Sequence, residues 1–494
     1  MIHKKNEQGS FHSLLWETLL PQDHELLRIL KAFDFGWVDE TLQGYYKTEG
    51  AGRPAYAPRS LFLMLFLEMY DNLSDYEVSE RVKRDVLYRR FVGFELEEEV
   101  PDHSTLSCFR ERLGEDGFKK LFNRFVEELE RKGFISHRLK IVDATHIEAN
   151  AMMRGRLGMV LQAQRRVVAA MRKENAEKVE ELEVRRKTEE PQKDEKDPRV
   201  FAQEVVRLKE LLEKAKQHFM SEGKETGELI EELLYRTPEP LDSLTDPEAR
   251  PGHKSPKKKF YGYKVNTVTN ESEIVTTVET IPGNEHEGNS IPRLLKEEVK
   301  RGFKGDIALA DALYDSGPNR QTIREDPELR MQEVIPEDHR TVQAEHFRYD
   351  EKTNTLICPE GKTSIGPSPH PCGQFFYFSQ KDCTPCPSQK SCPSFSLREH
   401  RAKLLLSLDR KMRLSSPLSK PMQKALYRFR TTVERIYGKA KHWHGFARAR
   451  YRGRGRVAVQ AFITFFVLNA KKALRIKEGL CPLKPPGLVA LGYG

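Results

Sequence analysis

The chain has 494 residues, 38% of them hydrophobic and 32% charged, long enough for more than one folded unit and polar enough to carry solvated segments outside a core. No uninterrupted apolar run approaches the ~18 residues of a bilayer span, and the opening Met1, Ile2, His3, Lys4, Lys5 turns polar without a secretory stretch, so a cytoplasmic protein with no membrane partner is expected. The net charge of +9 is uneven: between Arg398 and Arg456 stand 18 Lys and Arg against Glu399, Asp409 and Glu434, a basic field suited to a polyanion.

In chain order, Leu61, Leu65 and Met69, then Leu73, Val78, Val82 and Val86, predict two helices parted at Asn72 to Asp75, with Ser74 capping the second. A third helix starts near Ser104 with Leu106, Phe109 and Leu113 on one face, and a fourth runs from about Phe118 to Lys132. Residues 1–135 therefore read as a small helical domain of helix-turn-helix length, a candidate DNA binder. Leu139, Ile141 and Val142 predict a buried strand that delivers Asp143 at its carboxyl end. Residues 151–236 hold 19 basic and 18 acidic side chains and predict a charge-laced helical hairpin, its tip at Pro191 to Pro198, with no chemistry of its own.

Tyr261 to Thr269 and Glu273 to Thr280 predict a strand, turn, strand unit, Glu287 to Lys300 a helix, and Ile307 to Ala310 a second buried strand ending at Asp311. A cysteine-bearing insertion over 336–400 follows. Residues 401–475 return to helices, one carrying Tyr427, Phe429, Val433 and Ile436 and another spanning Val457 to Leu474, and 476–494 form a tail. The fold class expected is α/β: a core from 136–335 and 401–475, interrupted by two insertions and preceded by a helical domain.

Carboxylates that converge from separate elements are what two divalent ions need in order to act on a phosphodiester. Asp143, Asp311 and Glu434 meet that need, the last inside the basic zone. Tyr427, Arg430, Glu434 and Lys441 are separated by three, four and seven residues, one face of a helix if it continues past Gly438. Here the sequence resembles the DDE transposases of bacterial insertion sequences, whose glutamate lies in a tyrosine, arginine, glutamate, lysine signature with these spacers. "IVDATHIEA" around Asp143, "ALADALYDS" around Asp311 and "VERIYGKAKHWHGFARARYRGRGRV" around Glu434 are similar to the family's three catalytic stretches. "YAPRSLFLMLFLEMYDNLSDYEVSERVKRDVLYRRFVGF" and "VPDHSTLSCFRERL" are similar to the helical domain of one subgroup. Ala440 and Trp443 depart from the family's pattern.

The resemblance implies a ribonuclease H-like mixed sheet, with Asp143, Asp311 and Glu434 holding Mg2+ or Mn2+. It implies phosphate contacts from Arg430 and Lys441, and a Tyr427 that positions or stacks on a transposon end. It also implies a homodimer on double-stranded DNA, that is, on the element's terminal inverted repeats and its target. A nuclease without strand transfer and a silent DNA-binding relic share many of these features. Arg448, Arg450, Arg452, Arg454 and Arg456 alternate with small or aromatic residues and are expected on backbone phosphates. Cys383, Cys386 and Cys392 in "CTPCPSQKSC" have zinc-knuckle gaps, with Cys358 or Cys372 as a fourth ligand. His146 lies three residues beyond Asp143 and His286 sits in "PGNEHEGN"; either could line the site, but a locally satisfied histidine is the ordinary case.

Overall fold

The computed structural model describes residues 16, 18–46, 55–151, 156–174, 177, 179–180, 198–218, 245–255, 258–336, 347–370, 373–392 and 394–491. The chain opens with a helical layer: α1 (Glu25–Ala32), α2 (Trp37–Leu42), α3 (Pro58–Tyr70), α4 (Asp75–Arg84), α5 (Val86–Val92) and α6 (His103–Arg131). Helix α3 starts with proline at its first position, where no amide hydrogen is needed, and is apolar all round, so it is buried on nearly every side. Ser74 and Glu77 close a reciprocal cap at the start of α4. Asp85 then caps α5, so Val86 begins a helix of its own rather than ending α4. The two helices expected over Ser104 to Lys132 abut in α6, which breaks at Gly114 (φ 58°, ψ −168°).

The second layer is a sheet built on β1 (Leu139–Glu148). Antiparallel β3 (Lys258–Thr269) lies on one side of β1, and parallel β5 (Ile307–Leu309) and β6 (Gln332–Val334) lie on the other. The far edge of β3 is shared end to end by β2 (Arg250–Ser255) and β4 (Val275–Pro282). Four antiparallel strands, two of them sharing one edge, followed by two parallel ones, with α9 (Ile291–Lys300) and α10 (Gly317–Glu325) in the connections, make this a ribonuclease H-like α/β fold with an N-terminal helical extension. One expectation needs correction: β1 does not end at Asp143. Its ladder with β3 continues to Glu148 opposite Gly262, because β3 outlasts β5 and keeps pairing the β1 backbone.

Helices α7 (Arg156–Glu174) and α8 (Pro198–His218) pack on each other through Val160, Ala163, Val167, Leu208 and Leu212. The expected hairpin tip, Pro198 apart, lies outside the described residues. The cysteine segment forms a hairpin of β7 (Arg348–Asp350) and β8 (Thr355–Ile357). Beside it is a small sheet of β9 (Gly366–His370), β10 (Gly373–Tyr377), β11 (Phe395–Ser396) and β12 (Arg401–Leu406). Then come α11 (Leu408–Leu414), α12 (Lys420–Tyr427), α13 (Thr431–Trp443) and α14 (Arg454–Lys477).

Helix α14 is long and apolar enough, by length and composition, to cross a bilayer, but most of it is buried inside the protein. It lies between the two layers. Phe466 stacks on Phe125 with ring centroids 4.0 Å apart and meets Phe62 edge-on at 4.9 Å. On the sheet side, Asn469 accepts from Val275 N at 2.9 Å and donates to its carbonyl at 2.7 Å, taking the place of a strand along β4. One continuous apolar cluster therefore runs from Leu26 through the sheet to Leu488.

Candidate active site

The parallel register of β1 and β5 decides where the first two acids fall. Leu139, Lys140 and Ile141 pair with Ile307, Ala308 and Leu309. Continued for two residues beyond the last pair, the same register sets Asp143 beside Asp311. Strand side chains alternate in face, so Asp143 projects to the same side as the buried Ile141, and one nitrogen of Arg430 reaches both carboxylates. Asp311 has by then left the strand and caps a tight helical turn, accepting from Leu313 N at 2.6 Å.

Helix α13 crosses that face. The Tyr437 hydroxyl donates to the Asp143 carbonyl at 2.8 Å and lies 2.8 Å from Thr267 Oγ1 on β3. Glu434 stands one turn earlier on the helix, more than half exposed. The guanidinium of Arg430 gathers the three acids: Nη2 is 3.1 Å from Asp143 Oδ2 and 3.4 Å from Asp311 Oδ2, and Nη1 is 2.8 Å from Glu434 Oε1. Arg430 Nε is buried without a hydrogen-bond partner. Burial pushes the Asp143 carboxyl up to about 7 against the pull of Arg430, with Asp311 and Glu287 adding to the rise. Tyr427 ends α12 beside Arg430, and burial raises its hydroxyl.

Glu287, not singled out from the sequence, joins this cluster. It opens a tight turn after β4 whose neighbour Gly288 presses on the turn after Asp311: a Cβ on Gly288 would come within 2.7 Å of the Leu313 carbonyl. Asn319 Nδ2 ties the two turns by donating to the Gly288 carbonyl at 2.9 Å and the Tyr314 carbonyl at 3.0 Å. Burial raises the Glu287 carboxyl, Lys264 opposes the rise and Asp311 adds to it. The signal available in the sequence was positional, an acid just past the end of a third strand and next to His286. His286 instead caps the turn, accepting from Gly288 N at 3.1 Å.

The helix passes Gly438, so Lys441 is carried further along the same element. Its Nζ lies 3.5 Å from His146 Nδ1, away from the acids. Burial, then Lys441 and Lys254, bring His146 down to about 4, so it is neutral at neutral pH. Its ring packs on Phe260 at 5.0 Å.

The five alternating arginines part company. Arg448 and Arg452 are exposed, Arg452 donating to the Asn150 carbonyl at 3.3 Å. Arg450 turns inward to Glu68 at 3.3 Å and Asn72 at 2.5 Å, and also donates to the Leu73 carbonyl. Arg454 pairs with Glu115 at 3.1 Å, and exposed Arg456 with Glu111 at 2.9 Å. Cys358, Cys383, Cys386 and Cys392 sit together in the small β insertion and form no disulfides; Cys372 lies outside the described residues. Among the described residues, no group of three or more His, Cys, Asp or Glu side chains stands close enough to hold an ion.

Comparison with known proteins gives the family. A family model described as "Transposase domain (DUF772)" matches residues 14–112, and one described as "Transposase DDE domain" matches residues 234–470, which include Asp311 and Glu434. A curated protein of Rhizobium meliloti, "Uncharacterized protein ORF8 in nfe locus", is 35% identical over 104 residues, 21% of this chain and about half (49%) of that protein. No solved structure matches the chain at a significant level. The helical layer and the later part of the sheet with helices α13 and α14 thus each match a transposase domain, in that order along the sequence and with Asp143 between the two matches, and the chain belongs to the transposase family.

Proposed function

We propose that this chain is a DDE transposase: it cuts the ends of its DNA element and joins them to target DNA in a metal-dependent reaction, with Asp143, Asp311 and Glu434 as the catalytic acids. The observation that carries this reading is the single Arg430 guanidinium in contact with all three acids, which come from a strand, the turn after a second strand and a helix far apart in sequence. Such convergence of like charges is costly without a cation between them. The tyrosine, arginine, glutamate, lysine spacing around Glu434 supports the same assignment.

The donor set fits the implied ions. The acids are carboxylate oxygens, the hard ligands of Mg2+ and Mn2+, and a guanidinium now balances their charge where a cation would. Asp143, Asp311 and Glu434 would hold the metal, which supplies Lewis-acid stabilisation of charge on the scissile phosphate and activation of the attacking oxygen. Arg430 is then placed to move from the acids to a phosphate oxygen as DNA enters, because its Nε already lacks a partner. Tyr427 flanks this opening. Lys441, with the exposed Arg448 and Arg452, continues the positive surface along which a duplex would lie. Two ends cut together imply a homodimer on DNA.

The test is cleavage of a labelled duplex carrying the element's terminal repeat with magnesium or manganese, beside a gel-shift with the same protein. Glu434→Gln, Asp143→Asn and Asp311→Asn should each bind the duplex yet cut it at least about a hundredfold more slowly, the scale of losing one key electrostatic contact. Near-normal cutting by folded Glu434→Gln overturns the assignment. Cut ends that never become joined to a second duplex would make the chain a nuclease instead. A wild-type chain that binds ends but cuts none is a silent relic.

A further inference from the structure

The cysteine insertion is poorly equipped to hold itself together. Among the described residues its buried apolar cluster has eight members, and what packs against that cluster is Cys358, Cys383 and Cys392 with Leu414. A unit this small usually needs a covalent or metal staple, and its described thiols, Cys358, Cys383, Cys386 and Cys392, form no disulfide.

The backbone around the thiols has the form of metal knuckles. In Cys358-Pro359-Glu360-Gly361-Lys362 the chain doubles back: Gly361 N donates to the Cys358 carbonyl at 2.9 Å and Cys358 N to the Lys362 carbonyl at 2.8 Å. Gly361, at φ +75°, supplies the left-handed corner. Lys362 N then donates to Cys358 Sγ at 3.3 Å. On the facing segment, Ala402 N donates to Cys383 Sγ at 3.3 Å, and Cys386 and Cys392 each end a further tight turn. Amide hydrogens aimed at sulfur favour a thiolate over a thiol. The two cysteine-bearing segments are also tied to each other, Ser388 donating to Glu360 and Lys362 Nζ lying 3.6 Å from Asp382. Burial above all raises the Cys383 thiol, and Cys392, Cys386 and Cys358 are near enough to add to the rise.

We propose that Cys358, Cys383, Cys386 and Cys392 form a structural zinc site that staples the insertion. Four sulfur donors in a closed set are those of a structural zinc ion rather than a catalytic one. As the side chains stand, no three are gathered to ligand distance; the ion would draw the four sulfurs inward on turns that are already cross-tied. The site is independent of DNA cleavage and stands whether or not the chain cuts DNA.

Elemental analysis of the full chain, purified without chelator or metal-binding tag, should find about one zinc per chain, by the four-ligand rule. Loading with cobalt in place of zinc should give the intense near-ultraviolet sulfur-to-cobalt absorption of thiolate ligation. Cys383→Ser and Cys386→Ser should each lose the zinc, while Cys108→Ser and Cys481→Ser keep it. Should the first pair fail to fold, wild-type thiol titration decides: a mercurial should release zinc in step with four thiols. Folded wild-type protein that contains no zinc, takes up no cobalt and offers all its thiols freely to the reagent overturns the proposal.

Discussion

At the scale of single residues, the site is held by one cation among acids, and each neighbour can be tested by what it does to charge. Glu287 belongs to the same carboxylate field as Asp143 and Asp311. Glu287→Gln should therefore leave end binding intact but raise the manganese concentration for half-maximal cutting several-fold, on the order of 1 kcal/mol of lost interaction. A manganese titration that superimposes on wild type removes Glu287 from the site. Lys441 offers a pH test. Burial, then Lys254, pull its ammonium down to about 8, so its charge is complete at lower pH and is lost as pH rises through that value. The share of end affinity that Lys441 supplies should fall between about pH 7 and 9, and Lys441→Arg, whose guanidinium stays charged, should flatten the profile. Parallel gel-shift profiles at constant ionic strength would show that Lys441 touches no phosphate. The three acids could be singled out from sequence because Asp143 and Asp311 each follow a short apolar run and Glu434 stands at fixed spacings from Tyr427, Arg430 and Lys441. Glu287 could not, because what places it is the packing of two turns around Asn319 and Gly288, which leaves no periodic trace.

At the scale of elements, patterning served best where one face meets one core. The caps at Ser74, the β3 and β4 hairpin and the strand before Asp311 lie where periodicity and turn chemistry put them. The length of β1 was hidden because its second half alternates weakly and is kept in place by a distant partner, β3, rather than by its own sequence. The fate of the alternating arginines was hidden too, since spacing cannot tell an outward guanidinium from one that returns to Glu68. Gly114 is a further case, a break inside an otherwise helical pattern. Its backbone conformation is one that side chains avoid, yet an added Cβ would meet nothing within 4 Å. Gly114→Ala should therefore lower stability by about 1–3 kcal/mol from backbone strain alone, read by urea unfolding. A variant as stable as wild type would mean that α6 straightens without cost.

At the scale of the whole molecule, the basic zone divides into a surface and a joint. Replacing Arg448 and Arg452 together by alanine should reduce the magnitude of the logarithmic salt slope of end binding by about 2, one per lost phosphate contact. Arg450→Ala should act differently. Arg450 and Arg110 flank the buried Glu68, and leaving that carboxyl short of a partner should lower the thermal midpoint while the salt slope stays near wild type. Equal slopes for the double variant and wild type would place the DNA on another face.

The position of α14 between the layers has a consequence for synthesis on the ribosome. The helical layer is translated first, yet the ring it needs against Phe125, Phe62 and Phe66 is Phe466, which emerges hundreds of codons later. At about 5–20 residues per second the nascent layer waits, unfinished, for roughly tens of seconds. A message broken before codon 454 would yield a chain whose helical layer is left with its apolar groove open. Such a fragment suits a chaperone or a protease better than a DNA end, so truncated copies of the gene should make poor competitors of the intact protein.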